Sequence, residues 1–114
     1  MSDCLFCAIA SGGIPADVVA STDRVVAFRD IQPQAPVHVL IIPRAHHDDV
    51  PLIADVDPTL VAEMFALAAQ VARAEGIDAT GSRLVTNTGA DGGQTVPHAH
   101  VHLLGGRRLS WPPG

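Results

Sequence analysis

Apolar residues recur along this chain with two periods. Between Leu60 and Ala72 they fall three and four apart: Leu60, Met64, Leu67 and Val71, with Val61, Phe65, Ala68 and Ala72 beside them. That spacing predicts one long helix whose wide apolar stripe faces a sheet. Asp57 stands at its N-cap, Pro58 takes the first helical position, and Gly76 ends it. Elsewhere the pattern is that of strands. Residues 17–21 and 25–30 flank a Ser-Thr-Asp-Arg turn, and residues 37–43 form a β-branched run that fits a central strand covered on both faces. Residues 83–88 read as a fourth strand and residues 98–104 as a fifth, with a Gly-rich loop between them. A short helix over residues 4–10, capped by Asp3 and ended by Gly12-Gly13, precedes them all. Consecutive strands with short turns favour an α+β fold: an antiparallel five-stranded sheet with one long and one short helix.

Composition narrows the class. The chain has 114 residues, 47% hydrophobic and 17% charged, which fits a single globular domain over 1–114. Its net charge is −5, and its cations are seven dispersed arginines. Only Arg107 and Arg108 are adjacent, which argues against a nucleic-acid surface, where clustered cations neutralise phosphates. A single nucleotide, held by main-chain N–H groups, is not excluded. No segment approaches the roughly 20 apolar residues of a membrane span, and the start lacks the pattern of a signal peptide. The expectation is a cytoplasmic protein with no membrane partner, in which Cys4 and Cys7 stay reduced.

The candidate chemistry centres on His98, His100 and His102. At spacing two on a strand they share one face, with Ala99, Val101 and Leu103 on the other. Imidazole serves as nucleophile, acid, base or metal ligand near neutral pH. His38, the one polar residue of its strand, needs a partner for its ring. Cys4 and Cys7 form a C-x-x-C pair on one helical face. They read as buried apolar cysteines or as half of a zinc site. A redox pair would need a preceding strand, for which there is no room. Either His46 or His47 could add a ligand. The loop Gly89-Ala-Asp-Gly-Gly-Gln-Thr-Val-Pro97 has the glycines of an N–H nest for an anion. In the tail, Trp111 suggests docking of residues 107–114 on the body or on a partner subunit.

His98-Ala-His-Val-His-Leu-Leu resembles the signature of the histidine triad nucleotide-binding superfamily. Phe28-Arg-Asp-Ile-Gln-Pro-Gln-Ala-Pro36, Pro43-Arg-Ala-His46, Asp91-Gly-Gly-Gln-Thr-Val96, Leu104-Gly-Gly-Arg107 and the terminal Trp-Pro-Pro-Gly are similar to its Hint branch. The resemblance implies a hydrolase of purine nucleoside 5′-phosphoramidates that releases an amine and a nucleoside monophosphate. It also implies a homodimer with a continuous ten-stranded sheet. It makes His100 the nucleophile, flanked by His102 and His38. Asn87, Gly93 and Thr95 would hold phosphate oxygens, and Asp30 the ribose hydroxyls. Ile31, Phe6 and Phe28 would line the base pocket, with Trp111 also at the nucleotide. Thr95 stands where the family usually has serine; its hydroxyl would serve the leaving group, and its methyl would narrow the site. Related proteins hold zinc with a Cys pair and two histidines, which here implies Cys4, Cys7, His46 and His98, a structural ion with no part in the chemistry. Two rival functions stand beside this one: a dinucleoside polyphosphate hydrolase, and a nucleotide-binding regulator whose turnover is incidental.

Overall fold

A computed structural model describes residues 4–114. Eight elements follow in order: α1 (Leu5–Ala10), β1 (Val18–Ser21), β2 (Val25–Arg29), β3 (Val37–Pro43), α2 (Val50–Val56), α3 (Pro58–Ala74), β4 (Ser82–Val85) and β5 (Val101–Gly105). The strands form one antiparallel sheet in the order β1-β2-β3-β5-β4. The α+β expectation therefore holds. The central position of β3, buried on both faces, follows from its apolar, β-branched run, broken only by His38.

Three readings need correction. There are two short helices, not one. α2 lies in a stretch to which the sequence reading assigned no element, and its Pro51 sits in the first turn, where a missing N–H costs nothing. The Asp49 carboxylate accepts the Leu52 N–H at 2.9 Å and starts that helix. Second, β4 stops at Val85 rather than residue 88. The Thr86 hydroxyl then donates to the His100 carbonyl at 2.8 Å, so the chain crosses to the triad by side chain rather than by ladder. Third, the β5 ladder begins at Val101, so His98 and His100 precede it and only His102 lies in the strand. Asp3, read as a cap, lies outside the described residues; the N-cap of α1 is Cys4, whose Sγ accepts the Cys7 N–H at 3.3 Å.

The sheet carries a core on each face, and they are unequal. On one face, α2 and α3 cover Val25, Ala27, Val39, Ile41, Val101 and Leu103 with Ile53, Leu60, Met64, Leu67 and Val71. Phe65, read as part of that stripe, is instead exposed. On the other face Phe6, Val26, Phe28, Leu40 and Ile42 form a smaller cluster. α1, with six residues, is too short to roof that whole face. His38, Leu40 and Ile42 alternate onto this second face, and His102 pairs opposite Leu40. The histidines therefore gather beside the smaller core, away from the long helix.

Candidate functional site

Three main-chain groups decide what the histidines are. The carbonyl of His98 faces Nδ1 of His100 at 2.7 Å. A carbonyl can only accept, so Nδ1 carries the proton and Nε2 keeps its lone pair. His100, only 5% exposed, is thus held with a bare nitrogen, the state a nucleophile needs. The carbonyl of Pro43 faces Nε2 of His98 at 2.9 Å, which leaves the His98 lone pair on Nδ1. The N–H of Gln34 donates to Nδ1 of His38 at 3.0 Å, so His38 carries its proton on Nε2. That proton meets Nδ1 of His102 at 2.8 Å, which puts the single proton of a neutral His102 on its Nε2. Of these four rings, His98, His38 and His102 carry the proton on Nε2, and His100 carries it on Nδ1.

Burial favours the neutral form of three of these rings, His38, His98 and His102. It pushes His102 down to about 4; positive charge on His100 or His38 would act in the same direction, and Asp30 opposes both. Burial also lowers His38 and His98, against the nearby Asp30 and the Pro43 carbonyl respectively.

The lone pair of His98 points at a second constellation. Its Nδ1 lies 3.2 Å from Cys4 Sγ and 3.4 Å from Cys7 Sγ, while Cys7 Sγ is 3.3 Å from Nδ1 of His46. Nε2 of His46 is occupied by Asp48 at 3.1 Å, so both imidazoles turn Nδ1 inward. All four ligand atoms lie within 4.8 Å of one another. A tetrahedral ion with sulfur at about 2.3 Å and nitrogen at about 2.0 Å needs S–N edges of about 3.5 Å. Each inward nitrogen is unprotonated, and each outer nitrogen is held by an acceptor, as metal-bound histidines require. The group fits a metal. Asp30, His38 and His102 also converge within 4.8 Å, but there the Gln34 N–H claims Nδ1 of His38 and forces the proton onto the nitrogen that would bind. The spacing is similar; the tautomer is wrong.

The remaining expected residues fall into two groups. Asp30 is half-buried beside the histidines, with Oδ2 3.5 Å from Nε2 of His38 and Oδ1 accepting the Gln32 N–H at 2.8 Å. Thr95 is exposed on the wall of a cleft of about 460 Å³ shared with Cys4, Leu5, His46, Asp48, Val96 and Pro97. Asn87 donates from Nδ2 to the Gly92 carbonyl at 2.7 Å and so shapes the Gly-rich loop. Gly92 lies so close to Thr88 that a Cβ would meet its carbonyl oxygen at 2.3 Å. In this loop the N–H groups of Gly89, Gly93 and Gln94 are spent on Gln94 Oε1, Ala90 O and Gly89 O, so an anion nest would have to use others. Phe6 and Phe28 lie in the smaller core. Phe6 packs edge-on against Phe28, His98 and His100, with centroids 5.6, 5.9 and 5.2 Å away. Ile31 is 94% exposed after β2, and Trp111 is 82% exposed. Arg83 holds the tail through the carbonyls of Leu109 and Ser110.

Sequence reading missed Gln34, Pro43 and Thr86, and the carbonyl of His47, which accepts the Ala99 N–H at 2.7 Å between the two histidines. Three of these four act through the main chain, which carries no side-chain signature, and no spacing could have singled them out.

The chain is similar to known proteins. The family model of the HIT domain matches residues 11–109. An uncharacterized HIT-like protein of Synechococcus elongatus is 45% identical over 112 residues, covering 98% of this chain and 97% of that one. A 14 kDa zinc-binding protein of Brassica juncea is 44% identical over 114 residues, covering 98% of this chain and all (100%) of that one. The crystal structure of a HIT family hydrolase from Legionella pneumophila superposes with a TM-score of 0.94 at 51% identity, covering 98% of this chain and 100% of that one.

Proposed function

Since the chain belongs to the HIT domain family, we propose that it hydrolyses purine nucleoside 5′-phosphoramidates through a nucleotidyl-histidine intermediate. One observation carries the reading: the His98 carbonyl accepts a hydrogen bond from Nδ1–H of a buried His100 and so leaves Nε2 bare. Nε2 attacks the α-phosphorus and the P–N bond to the amine breaks, its electron pair leaving with nitrogen. The amine takes up a proton that the Thr95 hydroxyl relays from solvent, and the water of the second step gives its proton back to solvent by the same hydroxyl. Water then attacks phosphorus, the P–N bond to His100 breaks, and the nucleoside monophosphate leaves with the imidazole neutral again. Splitting one slow displacement in two is what a nucleophilic imidazole contributes. Throughout, Nδ1–H stays on the His98 carbonyl and stabilises the imidazolium phase of the cycle. His102 offers Nε2–H to a phosphate oxygen, a donor aimed where charge develops. Asp30 receives the ribose hydroxyls, Asn87 and Gly93 set the loop around the phosphate, and Ile31 and Trp111 cover the base. Phe6 and Phe28 support that pocket from beneath.

Cys4, Cys7, His46 and His98 would hold zinc; the ion would supply a cross-link between the start of the chain and the triad. The name of the Brassica juncea relative and the inward lone pairs support this. The active form is a homodimer in the cytoplasm.

Adenosine 5′-phosphoramidate provides the test. Brief mixing and quenching in alkaline denaturant, where the P–N bond to imidazole survives, should yield a peptide covering residues 98–102 that carries adenylate. His100→Ala should lose the label and turnover, by a factor of about 10⁴ or more. Faster cleavage of diadenosine triphosphate than of the phosphoramidate, or a label elsewhere, would overturn the assignment.

A further inference from the structure

We propose that Arg107 is a positioning residue of the site: its guanidinium clamps the Gln34 main chain, and Gln34 in turn sets which nitrogens of His38 and His102 carry protons. The consequence for turnover rests on the hydrolase reading; the placement of protons does not.

The contact begins at the end of β5. There Val37 pairs with Gly105, so the strand ends against the start of β3 and the loop before it. A Cβ at Gly106, where φ is +86°, would meet Pro36 Cβ at 2.9 Å. Glycine alone lets the chain turn this closely over residues 34–36. The next side chain, Arg107, thereby reaches the Gln34 carbonyl with two donors, Nε at 3.2 Å and Nη2 at 2.9 Å. Its Nη1 donates to the Arg108 carbonyl at 3.1 Å, which fixes the plane of the fork.

Gln34 passes that constraint inward. Its N–H is the donor on Nδ1 of His38. The His38–His102 contact at 2.8 Å can run in either direction, because each ring is both donor and acceptor. With the Gln34 N–H in place, Nδ1 of His38 cannot hold a proton, so Nε2 must. The contact runs from His38 to His102 and the remaining proton stands on His102 Nε2. Asp30 Oδ2, 3.5 Å from Nε2 of His38, favours the same direction. Without Gln34, His38 can take the opposite tautomer. His102 then donates from Nδ1, and its Nε2 becomes an acceptor where a donor is required. Residues 31–36 carry two prolines but no helix or strand to hold them. The Arg107 fork is the charged contact that ties this loop to the sheet.

The test reads proton placement directly. In uniformly ¹⁵N-labelled protein, long-range ¹H–¹⁵N spectra of the wild type should show His38 and His102 protonated on Nε2 and bare on Nδ1. In Arg107→Ala both rings should shift toward mixed tautomers, and Arg107→Lys should recover much of the wild-type pattern. Turnover of adenosine 5′-phosphoramidate should follow, with kcat of Arg107→Ala reduced about tenfold and KM within about twofold, as expected for misplacement of a group used in the transition state. Arg108→Ala, which keeps the main-chain acceptor, should match wild type in both measurements. Unchanged tautomers in Arg107→Ala would overturn the inference, as would equal changes in Arg108→Ala. If Arg107→Ala does not fold, Arg107→Gln is read in the same spectra by the same criteria. A wild type that leaves the phosphoramidate intact would sink the hydrolase reading alone, since the spectra need no substrate.

Discussion

Three histidines two residues apart look equivalent in the sequence, and each acquires a different job from one neighbouring group: a main-chain carbonyl for His98 and His100, the His38 ring for His102. His98 donates Nε2–H to the Pro43 carbonyl, His100 donates Nδ1–H to the His98 carbonyl and keeps its Nε2 lone pair, and His102 accepts at Nδ1 and carries its proton on Nε2. The imidazoles were legible because their period matched a strand; their tautomers were not, since the groups that set them lie 55 and 64 residues away along the chain for His98 and His102. The shift at His102 has a stability consequence. Unfolded, this ring takes up a proton near pH 6.5, whereas folded it does so only at about 4. Between those values the unfolded chain binds more protons. The contribution is therefore fully present above about pH 6.5, declines as pH falls, and is lost below about 4. Allowing for partial exposure, the loss amounts to about 2 kcal/mol. Urea unfolding at pH 7.5 and 4.5 should show it, and His102→Asn should lose less between the two pH values than wild type. Equal losses would mean that the ring titrates normally in the fold.

At the scale of elements, α1 poses the sharpest question, because six residues make a helix too short to persist alone. Phe6 anchors it in the smaller core, and Cys4 and Cys7 turn its first turn toward His46 and His98. The C-x-x-C spacing revealed the shared helical face, but not that Cys4 is also the N-cap. If zinc completes this group, metal analysis should find about one ion per chain, and Cys7→Ala should bind none. Stripping the wild type with a chelator should lower Tm by roughly 10 °C, an effect of about 2 kcal/mol for a domain of this size. Added zinc should restore the wild type and leave Cys7→Ala unchanged. A chelated wild type with an unaltered Tm would remove the metal from the account of α1. The extra helix α2 escaped sequence reading for a related reason. Its proline is a breaker in a helix interior and harmless in a first turn, and only the capping bond of Asp49 tells the two apart.

The whole molecule divides its chemistry by face. The apolar stripe of α3 buries one side of the sheet, and the polar machinery occupies the side where a six-residue helix leaves room. The α3 pattern was readable residue by residue, except that Phe65 remains 39% exposed. Phe65 and Leu84, itself 42% exposed, line one groove with Ala68, Ala69, Ala72 and Leu103 beside the edge strand β4. An apolar groove next to an unpaired strand edge suits a second copy of the chain, whose β4 would extend the sheet to ten strands. Sedimentation should then give twice the 11.9 kDa chain mass. Leu84→Asp should shift the protein to the single-chain mass at micromolar concentration. A wild type that sediments as one chain would reject this assembly, and with it the proposal that Trp111 docks on a partner.

What the sequence determined by itself was whatever depends on local period and residue type. This includes the long helix, the central strand, the α+β class, and the convergence of histidines on one face opposite Ala99, Val101 and Leu103. Those features follow from side-chain direction along a helix or strand, which no distant contact reverses. Only the tertiary structure decided which histidine holds which proton, and that β5 starts after His100. These depend on single carbonyls and N–H groups delivered from other elements. The main chain is chemically the same at nearly every residue, so where it arrives is settled by folding rather than by composition.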